Sequence, residues 1–154
     1  MKTQRRIVLK KFLASLVGVT GLGMVAKATN TDEDQHEVTN VVYDEEVPLF
    51  SSVVKHGKLI YLAGIGAHVE PFEIKAHTEI VLKEMEAQLK KAGSSMEKVL
   101  KVNVYLNDIN DYKGMNEVFR GRFGKKPPVR TTVAVAKGGV PGNSLVEMDC
   151  IARR

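Results

Sequence analysis

Alternation and helical spacing divide the chain after residue 37 into short amphipathic segments. Phe50–Lys55 and Leu59–Ala63 are apolar runs joined by His56-Gly57-Lys58, the signature of a hairpin. Gly64 and Gly66 then permit a tight exit. From Ile74 to Ala92, Ile74, His77, Val81, Met85, Gln88 and Leu89 follow helical spacing, and Leu82 widens the stripe. The other face is charged and sets Glu79 four residues before Lys83, and Glu86 four before Lys90. Gly93 is a natural stop. Val99–Leu106 reads as a half-buried strand with Leu100, Val102, Val104 and Leu106 in phase. A capped turn over Asp108–Asp111 precedes a second helix, Tyr112–Phe123, which carries Met115, Val118, Phe119 and Arg122 at helical spacing and ends at Gly124. Pro127 and Pro128 lead into a strand over Thr131–Ala136 with Arg130 at its head. In the last strand, Leu145–Ala152, one face holds Leu145, Glu147, Asp149 and Ile151; the other holds Val146, Met148, Cys150 and Ala152. The order is β-β-α-β-α-β-β, an α+β domain with two helices packed on one face of a sheet. Val38–Tyr43 has the composition of a further strand that this order leaves out. The sheet face without helices predicts an oligomer.

The first residues change the picture of charge. Residues 1–28 hold Lys2, Arg5, Arg6, Lys10, Lys11 and Lys27 and no acid. Removing those six from the 23 basic residues leaves 17 against 18 acidic ones, so the formal charge of +5 does not belong to the body. A basic footprint for nucleic acid is therefore absent there. The basic segment is followed by an apolar stretch, Phe12–Val25, and by Ala26-Lys27-Ala28, the layout of an export signal. The stretch is shorter than the ~20 apolar residues of a spanning helix, so contact with membrane is expected only during export. Gln4-Arg5-Arg6-Ile7-Val8-Leu9-Lys10 resembles a twin-arginine motif, which points to the periplasm. Residues 29–37 are polar and acidic and read as a disordered spacer, with the folded domain over 38–154.

Candidate chemistry centres on Arg130. A guanidinium at a sheet's rim can fork two N–H groups onto a carboxylate. The competing reading is a solvated surface arginine. If its strand pairs antiparallel with the last strand, Glu147 falls a few residues from the position opposite Arg130, and sheet curvature or a neighbouring subunit must bring them together. Glu147 and Asp149 can orient a water near an anionic substrate, or simply guard a strand edge. Cys150 is the only cysteine, which rules out an intramolecular disulfide. His36, His56, His68 and His77 lack metal-ligand spacing, and His77 reads as a helix-face residue; no metal is expected. Gly64-Ile65-Gly66 lacks the rest of a dinucleotide loop, and no serine sits in a nucleophile elbow.

Taken together, His56–Gly64, Ala92–Leu106, Asp111–Phe119, Pro128–Val133 and Val146–Ala152 resemble the RidA/YjgF family of imine deaminases, over roughly Pro48 to Arg153. The resemblance implies a chorismate-mutase-like fold with a mixed sheet. It implies a homotrimer with sites in the clefts between subunits, and no cofactor. It implies that Arg130 grips the carboxylate of a 2-imino or 2-enamino acid while water attacks the C=N carbon. Glu147 matches the acid that places the water, the Thr132 carbonyl matches the group that orients it, and Asn116 matches a residue near the site. Phe50 and Gly64 fall at substrate-binding positions. Phe50 stands where a tyrosine is common, Ala63 where a serine is, Ile65 and His77 where glutamines are, and Thr132 where a cysteine is. The pocket is thus expected to be more apolar than its relatives' and to prefer a bulkier side chain. Two classes stay open: an exported deaminase, and a non-catalytic binder of small carboxylates in the cell envelope. The neutral body and the lack of a general-base histidine argue against an older family label, ribonuclease.

Overall fold

The computed structural model describes residues 36–154. The export signal expected over residues 1–28 and most of the spacer expected over 29–37 lie outside the described residues. The first strand, β1 (His36–Asp44), starts two residues before the expected domain boundary and pairs antiparallel with β2 (Val47–His56). Glu37 accepts a hydrogen bond from Arg154 at 2.8 Å and lies 3.6 Å from Lys55, so this start is tied to the far end of the chain. The Arg154 guanidinium, with help from Lys55, holds the Glu37 carboxyl below its usual range.

The remaining elements are β3 (Leu59–Gly66), α1 (Ile74–Lys91), β4 (Val99–Leu106), α2 (Tyr112–Phe119), β5 (Val129–Ala134) and β6 (Val146–Arg153). Six strands form one mixed sheet in the order β1-β2-β3-β6-β4-β5. The helical and strand order therefore follows the expected pattern with one strand added in front.

The expected neighbourhood of the Arg130 strand is corrected. β5 pairs in parallel with β4, through Val102–Arg130 and Val104–Thr132, and does not touch β6. The cause is α2. A helix between two strands carries the chain back to the end where the first strand began, which makes the second strand parallel. β6 then inserts between β3 and β4, antiparallel to both.

One face of the sheet builds the core. Val146, Met148, Cys150 and Ala152 of β6, with Val102, Val104 and Leu106 of β4, meet Val81, Leu82, Met85 and Leu89 of α1 and Met115 of α2. Each valine, leucine or methionine among them, taken fully from water, contributes roughly 1.5–3 kcal/mol. The two charged pairs on the outer face of α1 form as expected, at 3.3 Å for Glu79–Lys83 and 2.6 Å for Glu86–Lys90.

Three local expectations are corrected. In β4 the register shifts between Val99 and Lys101, so Val99 turns inward and Leu100 is left exposed. In β3 a similar shift lies between Leu62 and Ile65. The strand continues to Gly66 instead of exiting at Gly64, and both Leu62 and Ile65 point into the core. Finally, α2 stops at Phe119 because Arg120 leaves helical conformation, with φ −57° and ψ 130°. A turn through Gly121, at φ +79°, then delivers Phe123 to the core.

Cys150 lies inside this core at 1% exposure, and burial, with the Asp149 charge, pushes its thiol up to about 12. The unfolded chain gives up this proton near ~8.5. The folded chain therefore holds a proton that the unfolded one loses, and stability falls as pH rises between those values. Native protein is expected to resist iodoacetamide at pH 8. Urea midpoints should decline less steeply above pH 9 in Cys150→Ala than in the parent, and equal slopes would contradict the assignment.

Candidate functional site

The six residues singled out in the sequence fall into two groups on opposite sides of the sheet. Arg130 and Thr132 stand in register with Val102 and Val104, and so share the face that carries the helices. The Arg130 guanidinium lies 4.6 Å from the centre of the Phe119 ring and 5.8 Å from that of Tyr112. Its Nη2 donates to Tyr112 Oη at 3.3 Å. Among the described residues no carboxylate forms an ion pair with it. Stacking on aromatic faces contributes about 0.5–1 kcal/mol at an exposed site. More usefully, it fixes the plane of the guanidinium and leaves other N–H groups free to bond an incoming anion.

Asn116 shares a face of α2 with Tyr112 and Phe119, at spacings of four and three residues. Thr132 Oγ1 is buried without a hydrogen-bond partner among the described residues. Arg130, Thr132 and Asn116 thus belong to one region, the seam between α2 and the edge strand β5.

The second group faces away from the helices. Glu147 stands opposite Gly66 on β3 and Tyr105 on β4. Its side chain lies across Gly64. A Cβ built on that glycine would overlap the carboxylate and stand 2.8 Å from Cδ, so the missing side chain is what admits Glu147 here. Phe50 lies on the same side, because Val53, three residues along β2, points into the core. The Phe50 ring is 49% exposed. Gly64 and Glu147 are therefore brought together and Phe50 shares their face, but Arg130 stands on the other face with β4 between the two groups. The antiparallel pairing from which the nearness of Arg130 and Glu147 was argued is absent, because β5 pairs with β4 and not with β6. Ile65, expected among pocket positions, is a core residue.

Several contributors escaped the sequence reading. Asn103 and Tyr105 are two of them: they hold Asp149, an acid the sequence did single out, through Asn103 Nδ2 at 2.8 Å and the Tyr105 hydroxyl at 3.1 Å, so both its oxygens are occupied. Burial, then the Asp149 charge, pushes the Tyr105 phenol above its usual range and keeps it a donor. Tyr112 and Phe119 were visible at a seven-residue spacing, but that spacing reads equally as core.

His77 is no helix-face residue of the ordinary kind. It is fully buried. Leu145 N–H donates to its Nδ1 at 3.1 Å, and its Nε2–H donates to Val69 O at 3.0 Å, which together fix one neutral tautomer. Ser144 adds a second tie: its hydroxyl accepts from Ala67 N–H at 2.8 Å and donates to Val146 O at 2.7 Å. The two residues pin the segment after β3 to the start of the strand that carries Glu147. No group of three or more His, Cys, Asp or Glu side chains among the described residues could hold a metal ion.

The chain is thus an α+β protein with a mixed sheet, an arginine that pairs with no carboxylate among the described residues on one face, and a carboxylate laid over a glycine on the other. The family model described as Endoribonuclease L-PSP matches residues 32–154, and the chain belongs to that family, the RidA/YjgF family. A RutC family protein of Pyrococcus abyssi is 35% identical over 122 residues, covering 73% of this chain and 94% of its own. A protein of Dermatophagoides farinae named 2-iminobutanoate/2-iminopropanoate deaminase is 32% identical over 108 residues, covering 66% of this chain and 83% of its own. Among solved structures, RidA from an Antarctic Psychrobacter superposes with a TM-score of 0.65 at 29% identity, covering 75% of this chain and 99% of that one.

Replacing His77 by leucine strands the Leu145 N–H and the Val69 carbonyl, each at about 1–3 kcal/mol. Glutamine can still accept from one and donate to the other. Chemical denaturation should therefore rank His77→Gln close to the parent and His77→Leu well below it.

Proposed function

We propose that the chain hydrolyses 2-imino and 2-enamino acids to 2-keto acids and ammonia. The observation that carries this reading is Arg130, a guanidinium oriented by two aromatic rings and paired with no carboxylate among the described residues. Membership of the family, and a relative named as an iminobutanoate deaminase, supply the chemistry.

In this reading Arg130 anchors the substrate carboxylate through a forked pair of hydrogen bonds. Glu147 takes a proton from a water as the oxygen attacks C2 of the imine. Glu147 returns that proton to the imine nitrogen, giving a neutral carbinolamine; its hydroxyl proton then passes to the same nitrogen, ammonia leaves, and a carbonyl forms at C2. The Thr132 carbonyl orients the same water, and Asn116 borders the site. Phe50 and Gly64 line the substrate's other side. The imine carbon is already electrophilic, so placement of the water contributes most of the rate.

Because Arg130 and Glu147 occupy opposite faces, the complete site needs a second copy, in which Arg130 of one chain approaches Glu147 of the next. A homotrimer supplies that arrangement. Its support is the face without helices, where Val42, Phe50 and Tyr61 are exposed. A non-catalytic carboxylate binder would use Arg130 alike, and the loss of a hydroxyl at Phe50 leaves that reading a place in the test.

Arg130→Ala and Glu147→Ala should each lower kcat/KM by about 100-fold or more, roughly 2.7 kcal/mol. Imines generated in situ by an amino-acid oxidase provide the substrate. Refolding the two inactive variants together should restore measurable activity, because some clefts then hold both intact groups. Activity in neither the parent nor the mixture, with ligand binding kept, would leave the binder reading in place.

The chain is further proposed to be exported to the periplasm by the twin-arginine route, on the strength of Arg5-Arg6 and the apolar stretch that follows. Changing both arginines to lysine should retain the precursor inside the cell, as fractionation would detect. Normal export of that variant would refute the route.

A further inference from the structure

A cavity of about 230 Å³ lies between the end of α1 and the outer strands β1 and β2, on the helical face of the sheet. Thr39 and Asn40 border it from β1, Lys55 from β2, and Gln88 and Lys91 from α1. We propose that this cavity binds a small 2-hydroxy acid, with its carboxylate between Lys55 and Lys91 and its hydroxyl toward Gln88. The site is separate from Arg130 and Glu147 and does not depend on the deaminase reading.

Charge carries the first part. Two lysines and no carboxylate border the cavity. Lys55 lies two residues from the core residue Val53, so it shares the face beneath the helix, and its side chain is only 18% exposed. Its one ion pair is loose: Glu37 lies 3.6 Å away and is held more closely by Arg154, at 2.8 Å. Lys91 forms no ion pair among the described residues. Nor is it needed to close the helix. The carbonyls of Gln88, Lys90 and Leu89 accept from the N–H groups of Ala92, Gly93 and Ser94. Two cations at one cavity repel, and a carboxylate between them turns that repulsion into attraction.

Gln88 carries the second part. Its Nε2 donates to Glu84 Oε1 at 3.1 Å, which fixes the orientation of the amide and leaves its own Oε1 as an acceptor. That Oε1 is buried with no donor among the described residues. Gln88 is part of the cavity wall, so a modest turn of its amide presents the oxygen to a ligand. A buried acceptor without a donor is costly, and a ligand O–H or N–H relieves it. A hydroxyl suits better than an ammonium, which would add a third positive charge beside the two lysines.

Backbone and size agree. Thr39 and Asn40 are consecutive and in a regular strand would point to opposite faces. Both border the cavity because Asn40 takes left-handed backbone, at φ +54°. The volume falls below the roughly 300–1,000 Å³ of sites for drug-sized ligands, so the occupant has only a few heavy atoms.

The test is calorimetric titration of the full chain carrying Arg130→Ala, which removes the other anion site, with lactate, propionate, alanine and sulfate. At about 0.15 M salt, exposed charges are largely screened. Lactate should bind saturably, and about fivefold or more tighter than propionate, which lacks the hydroxyl. Alanine and sulfate should also bind more weakly than lactate. Adding Lys91→Gln, at an exposed position where folding is not at stake, should weaken lactate about threefold or more. Adding Gln88→Met should bring lactate down to the level of propionate and leave propionate unchanged. Lactate binding by the parent but not by Arg130→Ala would place the acid at Arg130 and overturn the proposal. So would equal binding of lactate, propionate and sulfate, or a preference for lactate that survives Gln88→Met.

Discussion

The alternation of β6 is the constraint on which the rest of the molecule depends. Both of its neighbours, β3 and β4, run antiparallel to it and contribute to the core. Its even-numbered residues bury against α1, and its odd-numbered residues carry Glu147 and Asp149 to the other side. Core and chemistry are thus written on one strand with a period of two. The ties made by His77 and Ser144 act where that strand begins, so the helical layer and the carboxylates are fixed by the same few bonds.

The two polar groups are built by different physics. Glu147 is placed by absence, since Gly64 leaves the space its side chain fills. Arg130 is placed by presence, since Phe119 and Tyr112 hold its plane and orient it before any ligand arrives. Both devices reduce the freedom that binding would otherwise have to remove. Neither uses a charge partner among the described residues, so an incoming substrate has no such partner to displace.

Much of this was legible in the sequence where local pattern decides the structure. The hairpin of β2 and β3, helix α1 with its Glu–Lys pairs, and both faces of β6 follow from spacing alone. Where a long-range partner decides, the pattern misleads. The direction of β5 depends on the return path through α2, which no local spacing encodes. The shifts near Gly64 and Leu100 are set by neighbouring strands, and they reverse which residues face inward. Residue types at the site were legible too: an arginine after two prolines, and a glutamate in an alternating strand. Their separation onto two faces was not, because it follows from the sheet order. The His77 clamp was invisible for another reason: both its partners are backbone groups, and those carry no sequence signal.

The period of two also limits how this chain can change over evolutionary time. A shift of β6 by one residue would carry Glu147 and Asp149 into the core and put Val146, Met148 and Cys150 in water. Insertions in the turn between β5 and β6 need not disturb that register, whereas a single insertion within the strand must. The route to new specificity therefore runs through the turn that overhangs Glu147, where length and shape can drift while the carboxylate stays fixed.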